Sequence, residues 1–327
     1  MKPGASVMNA IVFDRTGSWN EVLRLAGREI VDPGADEVQV RIVARPINPS
    51  DRMFIAGSYR QRPELPQVAG LEGAGVVEKV GRNLDPALAG KHVSFRAKGT
   101  WAERINLPAG VFREIPAEIP FEAGCQLSLN LMSAHGLLER VNLAAGQWLL
   151  LTAANSSLGK LIVQLAKPRG IRVLALVRRP ENRSLMLDVG ADTVLVDSSP
   201  NLLDEILETT GGGANGILDA VGGRLGSLMF KAAAPLATVV LYGRLSPDRS
   251  EFDYGDVIYR NLRVEGFGID RWQETKTAGE LDRIWRGLAG QVASGSVTLT
   301  HDMCFELEDF KEAIACYEKS GGKVILK

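Results

Sequence analysis

The stretch WLLLTAANSSLG at residues 148–159 decides the fold of this chain. It begins with a continuous apolar run that closes on Thr152, which is typical of a strand buried on both faces of a sheet. Small residues follow, and a helical apolar pattern then covers residues 158–167. A buried strand, a turn of small residues and a helix are the opening unit of a Rossmann-type, doubly wound parallel sheet.

Downstream of this unit, short apolar runs alternate with amphipathic segments. Such βαβα alternation predicts a parallel sheet with right-handed crossovers. The predicted strands cover 172–177, 193–196, 216–220, 238–242 and 263–266, and the predicted helices cover 180–189, 201–209, 225–233, 277–292 and 308–319. A short strand at 323–326 closes the chain, and one helical pattern over 121–141 precedes the sheet.

The first third of the chain has the pattern of a separate β-rich domain. Residues 38–43 alternate apolar and polar side chains for most of their length, and 73–80 and 92–95 are further short strands between prolines and glycines. We therefore predict an α/β protein with three parts. These are a β-rich domain at 1–120, a Rossmann domain at 121–260 and a C-terminal segment at 261–327 that returns to the first domain.

Composition excludes several classes of function. The chain has 327 residues, with 38 Lys plus Arg and 39 Asp plus Glu, so its formal net charge is −1. This balance argues against nucleic acid or an anionic membrane as the main partner. The three cysteines form no C-x-x-C pair, which disfavours a disulfide scaffold and a four-cysteine zinc site. With no signal-peptide pattern in residues 1–12 and no apolar run near roughly 20 residues, we expect a cytoplasmic protein.

The turn after the first Rossmann strand is the candidate phosphate site. A helix N-terminus there offers free N–H groups and a partial positive charge. The strict G-x-G-x-x-G pattern is absent, and an ordinary turn capped by Asn155 or Ser156 is the alternative. The candidate cofactor-binding residues of the turn are Asn155, Ser156, Ser157, Leu158 and Gly159.

Two arginines follow the next predicted strand and indicate which dinucleotide is bound. Arg178 stands 19 positions after Gly159, where an NAD site usually has an acidic residue for the ribose 2′-hydroxyl. A guanidinium group binds a 2′-phosphate that a carboxylate would repel. Arg178 and Arg179 therefore favour NADPH over NADH, unless they are merely two solvated side chains on a loop.

Three motifs resemble the medium-chain dehydrogenase/reductase superfamily. They are INPSD at 47–51, GLEGAG at 70–75 and AANSSLG at 153–159. The resemblance implies a GroES-like catalytic domain over the β-rich part. Zinc-dependent members carry Cys near the first motif and His before the Glu of the second. This chain has Asn48 and Leu71 there, so the resemblance points to the zinc-free branch and to no metal site.

Within that branch the ordered motifs most resemble the mitochondrial-type 2-enoyl thioester reductases, and next the NADPH:quinone oxidoreductases. The matching features are Tyr59 in its loop, Asn130 in LSLN, the Ala-Asn-Ser turn, Arg178, and Phe267 before Trp272. The chain departs from the pattern at Leu131, at Gly268 and in the Ser133–His135 segment. These departures lie near the expected acyl and nicotinamide pockets.

The resemblance assigns roles for reducing a C=C bond conjugated to a carbonyl. Tyr59 would donate a proton or stabilise the enolate, and Asn48 would hydrogen-bond substrate or a ribose hydroxyl. It also implies a homodimer that pairs near residues 256–267. The remaining assignments are Trp272 and Asn130 to the substrate, Tyr242, Phe267 and Ile269 to the nicotinamide, and Lys323 to the cofactor phosphates.

Plainer interpretations stand beside these roles. Tyr59 could be a surface residue, Asn48 a turn residue, and Trp272 and Tyr242 core packing. Three functions stay open on the sequence alone. They are an NADPH-dependent enoyl thioester reductase, an NADPH:quinone or general enone reductase, and a non-enzymatic NADPH-binding module.

Overall fold

The computed structural model describes residues 6–327. Its strands are β1 (Val7–Phe13), β2 (Arg24–Glu29), β3 (Glu37–Pro46), β4 (Gln67–Val68), β5 (Glu72–Val80), β6 (His92–Arg96), β7 (Arg104–Pro108), β8 (Phe112–Glu114), β9 (Trp148–Leu151), β10 (Arg172–Val177), β11 (Thr193–Val196), β12 (Ala214–Asp219), β13 (Ala233–Leu241), β14 (Arg263–Gly266), β15 (Met303–Phe305) and β16 (Val324–Leu326).

The α-helices lie between these strands. They are α1 (Trp19–Val22), α2 (Pro49–Ile55), α3 (Phe121–Gly124), α4 (Met132–Val141), α5 (Ser157–Ala166), α6 (Asn182–Val189), α7 (Leu202–Thr210), α8 (Gly223–Lys231), α9 (Tyr254–Arg260), α10 (Ile269–Glu274), α11 (Ala278–Ala293) and α12 (Phe310–Ser320). Short 3₁₀ turns cover Pro86–Leu88, Lys167–Arg169 and Leu307–Asp309.

The chain forms two compact units. The first unit contains the described residues up to Leu129 together with Leu288–Lys327, and the second contains Asn130–Gly287. The functional division at residues 120 and 260 stays a prediction, because compactness alone assigns no role to either unit. No helix of residues 6–327 combines the length and the apolar character needed to cross a membrane.

The second unit is built on a six-stranded parallel sheet. Its strand order is β11-β10-β9-β12-β13-β14, and every neighbouring pair is parallel. Counted from β9, this is the order 3-2-1-4-5-6 of the Rossmann fold. The chain reverses direction across the sheet between β9 and β12, where such folds bind ligands at the carboxyl ends of the strands. The prediction of a doubly wound sheet is confirmed.

The first unit is β-rich, as predicted. It contains a three-stranded sheet, β2-β1-β4, and a second sheet, β15-β16-β3-β5-β6-β8, in which β7 also pairs with β3. The C-terminal β16 runs antiparallel to β3, with Ile325 opposite Pro46. This pairing brings the end of the chain beside the start of α2, where the INPSD motif lies.

The predicted continuous helix over 121–141 is wrong. The structure has α3, a π-helical turn at Leu127–Leu131, and then α4. The amide N–H of Leu129 donates to Glu72 Oε1 at 2.6 Å. A backbone donor used by a side chain is withdrawn from the regular helix ladder, which is consistent with the widened turn at this point.

Helix α2 was also missed. Prolines at positions 46 and 49 indicate a loop, yet Pro49 occupies the first turn of α2. Its missing N–H costs nothing there, because the first turn of a helix has no acceptor for that group.

Candidate active site

Tyr59 lines a pocket in the first unit. The loop after α2 orients it, since the amide N–H of Tyr59 donates to the Met53 carbonyl at 3.0 Å. Gly57 has a φ of +73°, and a Cβ there would lie 2.9 Å from Thr16 Cγ2, so this turn favours glycine. The Tyr59 ring packs against the apolar core of the unit. The other residues that line the pocket are Ser50, Gln61, Leu71, Arg96, Ala97 and Leu129.

A buried polar network lies under the start of α2. Lys323 Nζ donates to Asn48 Oδ1 at 2.6 Å, and Asn48 Nδ2 donates to Glu72 Oε2 at 3.2 Å. Each of these three side chains is at most 5% exposed. Asn48 therefore bridges an ammonium group and a carboxyl group. The predicted contacts of Asn48 with substrate and of Lys323 with cofactor phosphates stay predictions.

Two carboxyl groups in this network have pKa values above the usual range. Burial raises the pKa of Glu72 to about 7, against the lowering effect of Lys323. Burial likewise raises the pKa of Asp51 to about 7, although Asp51 accepts the Asn48 amide N–H at 2.8 Å. Desolvation disfavours a charged carboxylate, and one ammonium group offsets it only partly. Glu72 and Asp51 are therefore partly protonated near neutral pH.

In the second unit, the turn between β9 and α5 has the geometry of a phosphate cradle. Ser156 is the N-cap of α5, and its Oγ accepts the Gly159 amide N–H at 3.1 Å. A Cβ on Gly159 would lie 2.3 Å from the Ala154 carbonyl oxygen, so only glycine fits. Ala153 adopts a φ of +48°, a strained value for alanine. The remaining N–H groups of the first turn have no acceptor within the helix, so the turn fits an anionic group.

Sequence reasoning missed two residues at the carboxyl ends of β9 and β12. Thr152 Oγ1 donates to Asp219 Oδ1 at 2.7 Å and accepts the Ala220 amide N–H at 2.9 Å. Asp219 also accepts two amide N–H groups from the turn before α8. The pair ties together the two strands that flank the switch point of the sheet. A polar residue closing an apolar strand, as in WLLLT and GILD, is the signal that could have identified them.

Arg178 and Arg179 follow β10 directly, and both are exposed. Asp197, which follows the neighbouring β11, donates its amide N–H to the Val177 carbonyl at 3.0 Å. Burial raises the pKa of Asp197, and Arg178 acts in the opposite direction, so the two side chains interact electrostatically. The tip of β10 thus presents guanidinium groups with one carboxyl group nearby.

The residues assigned to the nicotinamide lie after β13 and β14. The Tyr242 amide N–H donates to the Asp219 carbonyl at 2.9 Å, and that of Phe267 to the Leu241 carbonyl at 3.0 Å. The Tyr242 hydroxyl is buried and has no hydrogen-bond partner within the described part of the chain. Burial raises its pKa. Ile269 begins α10 and is buried.

The residues assigned to the substrate pocket are both buried in the second unit. Trp272 is 2% exposed, and its Nε1 donates to Glu139 Oε2 at 3.2 Å. A Cβ on Gly136 would lie 2.9 Å from Trp272 Cδ2, so the indole packs tightly on α4. Asn130 Nδ2 is buried without a hydrogen-bond partner among residues 6–327. Their roles toward a substrate stay predictions.

Comparisons with known proteins match both units. An alcohol dehydrogenase GroES-like domain matches residues 34–117, and a zinc-binding dehydrogenase domain matches 157–283. The mitochondrial enoyl-[acyl-carrier-protein] reductase of Arabidopsis thaliana is 31% identical over 328 residues, covering 96% of this chain and 85% of that protein.

Solved structures match over nearly the whole chain. A provisionally assigned NADPH:quinone reductase of Bacillus thuringiensis has a TM-score of 0.93 at 28% identity, with 99% of each chain covered. The Escherichia coli quinone oxidoreductase, solved as a complex with NADPH, has a TM-score of 0.88 at 25% identity, covering 97% of this chain and 99% of that chain.

The residues present do not fit the zinc ion that one domain name mentions. Zinc is held by Cys, His, Asp or Glu side chains. Among residues 6–327, no three such side chains are grouped so that they could hold a metal ion. Asn48 is engaged by Lys323 and Glu72.

Proposed function

This chain belongs to the medium-chain dehydrogenase/reductase superfamily of oxidoreductases, and from that premise we propose that it uses NADPH to reduce activated carbon–carbon double bonds, with 2-enoyl thioesters as the substrate class. The observation that carries the proposal is the position of Tyr59 in a polar pocket of the GroES-like unit. The 31% identity to a plant enoyl-[acyl-carrier-protein] reductase supports the substrate class.

Reduction of a 2-enoyl thioester needs a hydride at the β-carbon, stabilisation of the enolate oxygen and a proton at the α-carbon. A bound nicotinamide would supply the hydride. In our proposal the Tyr59 hydroxyl donates the hydrogen bond to the enolate and then the proton. Asn48, held by Lys323 and Glu72, orients a substrate or ribose hydroxyl. Zinc takes no part.

The cofactor would be held by residues of the second unit. The first turn of α5, with Ser156, Ser157, Leu158 and Gly159 after Asn155, would receive the pyrophosphate. The guanidinium groups of Arg178 and Arg179 would bind the 2′-phosphate. Tyr242, Phe267 and Ile269 would border the nicotinamide, where the unpartnered Tyr242 hydroxyl is available for a hydrogen bond.

The direct test is the Tyr59→Phe variant, assayed by NADPH oxidation with crotonyl-CoA and longer 2-enoyl-CoAs. We expect kcat to fall by about 10²- to 10⁴-fold, as for the loss of a general acid, while thermal unfolding stays within a few degrees of the wild type. Absence of turnover with every enoyl thioester in the wild type would overturn the proposal. Tight NADPH binding without turnover of any acceptor would instead indicate a non-enzymatic binding protein.

A quinone or general enone reductase is the second candidate. The solved quinone oxidoreductases favour it because they match nearly the whole chain. The departures at Leu131 and Gly268 from the enoyl reductase pattern point in the same direction. Faster turnover of 1,4-benzoquinone than of enoyl thioesters, insensitive to Tyr59→Phe, would establish this function instead.

We also propose a homodimer formed at the β14 edge of the Rossmann sheet. Strand β14 ends the sheet, and nearby α9 exposes Tyr254, Ile258 and Tyr259, the last at 89%. Exposed apolar groups of this size mark association surfaces. Size-exclusion chromatography with light scattering should give twice the 35.3 kDa chain mass, and a monomer would contradict the proposal. A cytoplasmic location stays a prediction, since the plant relative is named as mitochondrial.

A further inference from the structure

Glu72 lies directly behind the wall of the Tyr59 pocket. It is the first residue of β5, and it is 1% exposed. Three of the residues that line the pocket adjoin it. They are its chain neighbour Leu71, its hydrogen-bond donor Leu129, and Arg96, its partner in the register of β5 with β6. A change in how Glu72 is held would therefore reach the pocket through three of its lining residues.

Both carboxyl oxygens of Glu72 accept hydrogen bonds. Oε1 accepts the Leu129 amide N–H at 2.6 Å, and Oε2 accepts Asn48 Nδ2 at 3.2 Å. An ionised carboxyl group accepts at both oxygens, whereas a protonated one carries an O–H donor on one of them. Protonation of Glu72 would therefore set a donor against a donor, and it would weaken or break one of these two hydrogen bonds.

Either lost hydrogen bond would disturb the Tyr59 site. Leu129 forms part of the wall of the Tyr59 pocket, whose cavity of about 30 Å³ has room for about one water molecule. A shift of the Leu129 backbone would therefore change the space beside Tyr59. Loss of the bond from Asn48 would instead leave its amide group held only by Lys323. The group that orients a substrate or ribose hydroxyl would then be less firmly fixed.

Four described residues with charged or titratable groups surround Glu72. They are Lys323 beside β16, Arg96 on β6, Asp51 on α2 and Cys125 at the end of α3. Burial raises the pKa of Glu72 to about 7, against the lowering effects of Lys323 and Arg96. Asp51 has a pKa of about 7 for the same main reason, and the negative charge of Glu72 raises it further. The ionisation of Glu72 therefore changes within the pH range in which the protein can be assayed.

We propose that Glu72 is a positioning residue of the Tyr59 site, and that only its ionised form holds Asn48 and the pocket wall in the reactive arrangement. This inference rests on the proposed function and adds a dependence on pH to it. Activity should fall as the pH drops through about 7, where Glu72 takes up its proton. Tyr59 by itself predicts no such loss, because acid keeps a proton donor protonated.

The experiment measures kcat between pH 5.5 and pH 8.5, at saturating NADPH and acceptor, in the wild type and in Glu72→Gln. The wild-type kcat should fall by about 10-fold between pH 7.5 and pH 5.5, the effect of one lost charge-assisted hydrogen bond. The amide in Glu72→Gln has one acceptor oxygen and does not titrate. Its kcat should be about 10- to 100-fold below that of the wild type at pH 8 and nearly constant across the range.

Two further variants make the result specific. Glu78→Gln is the matched control, because Glu78 also lies on β5 but pairs with Arg41 and Arg104. It should keep the wild-type profile. Asp51→Asn removes a neighbouring negative charge, so it should move the loss of activity to lower pH without abolishing it. A flat wild-type profile, or an acid loss that persists in Glu72→Gln and disappears in Asp51→Asn, would overturn the proposal.

A measurement without turnover separates this inference from the proposed function. The pH profile can be recorded with whichever acceptor is reduced, so a preference for quinones leaves it intact. If no acceptor is reduced, the proposed function fails, and NMR of protein labelled with ¹⁵N-asparagine decides the positioning role alone. The side-chain amide signals of Asn48, assigned by their loss in Asn48→Ser, should shift between pH 8 and pH 6 in the wild type and stay constant in Glu72→Gln. Signals that do not shift in the wild type would refute the role.

The NMR measurement also covers a Glu72→Gln variant that fails to fold. Asp51→Asn then takes its place, because it removes the other carboxyl group near Asn48 and leaves Glu72 free to titrate. The Asn48 side-chain signals should still shift with pH in Asp51→Asn. Constant signals in that variant would assign the titration to Asp51 and refute the role of Glu72.

Discussion

Lys323 and Asn48 are 275 positions apart in the sequence, and the ammonium group of Lys323 donates to the side-chain oxygen of Asn48 at 2.6 Å. This contact orients the Asn48 amide, so that its nitrogen faces Glu72. The pairing of β16 with β3 makes the contact possible. Lys323, near the end of the chain, thereby positions the candidate catalytic residue Asn48, which is the N-cap of α2.

Lys323→Met should destabilise the protein in a pH-dependent manner. The variant leaves Asn48 Oδ1 buried without its donor, which costs about 1–3 kcal/mol. Above pH 7, Glu72 and Asp51 also lose the cation that favours their charged forms. Below their folded pKa of about 7 both carboxyls become neutral, so the loss should be smaller at pH 5 than at pH 8.

Urea denaturation at the two pH values measures this effect. Lys327→Met is the control, because Lys327 forms a surface ion pair with Glu122 at 2.6 Å and should cost less than about 1 kcal/mol. If Lys323→Met lost the same free energy of unfolding at pH 5 and pH 8, the charge of Lys323 would not matter. The lost hydrogen bond to Asn48 would then account for the whole effect.

Because of His135, the folding stability of the wild type should fall as the pH is lowered. Burial lowers its pKa to about 4, and Arg169, at 3.1 Å from Nδ1, acts in the same direction. An unfolded histidine has a pKa of about 6.5. As the pH falls, His135 is therefore protonated at a higher pH in the unfolded chain than in the folded one. This contribution to stability is complete above pH 6.5 and is lost as pH falls toward 4.

The measurement is the free energy of unfolding between pH 7 and pH 5. The wild type should lose more stability on acidification than His135→Gln, which keeps an acceptor for Arg169 but cannot titrate. His301→Gln, at an exposed position, should follow the wild type. Parallel curves for the wild type and His135→Gln would show that His135 takes no part.

Gly159→Ala should damage the phosphate turn. An added Cβ would lie 2.3 Å from the Ala154 carbonyl oxygen, so the backbone must shift. We expect a loss of about 1–3 kcal/mol together with weaker NADPH binding. Gly290→Ala is the matched control, since its Cβ would meet nothing within 4 Å on α11 and should stabilise the helix by about 0.5–1 kcal/mol. If Gly159→Ala kept the stability and the NADPH affinity of the wild type, the backbone of Gly159 would not be tightly packed against the Ala154 carbonyl.

Arg178→Ala should weaken the binding of NADPH and leave the binding of NADH almost unchanged. Losing a guanidinium–phosphate pair should raise the Kd of NADPH by about 10- to 100-fold, and NADH, which has no 2′-phosphate, should change by less than about threefold. Arg224→Ala on the exposed start of α8 removes the same charge away from β10 and serves as the control. Isothermal titration gives both constants, and equal losses for the two cofactors would contradict the assignment.

The sequence alone predicted the parts that depend on local patterning. The bounds of β10, β11 and β14 are those predicted. For β10 the reason is that a strand buried on both faces is a continuous apolar run between polar turns, whereas β14 is mostly exposed. The turn at 153–159 was predicted because small residues follow a buried strand and precede a helical pattern, and its role in binding a cofactor stays a prediction. The parallel sheet followed from the alternation of strands and helices, whereas its strand order came from the structure.

Tertiary structure alone decided the polar contacts of the candidate site. The π-helical turn at 127–131 accompanies a hydrogen bond from Leu129 to Glu72, and the orientation of Asn48 follows from Lys323. No periodicity records these contacts, because each joins residues that are far apart in the chain. Hydrophobic patterning determines which face of a strand or helix is buried, whereas the partner of a buried polar group depends on which strands pair.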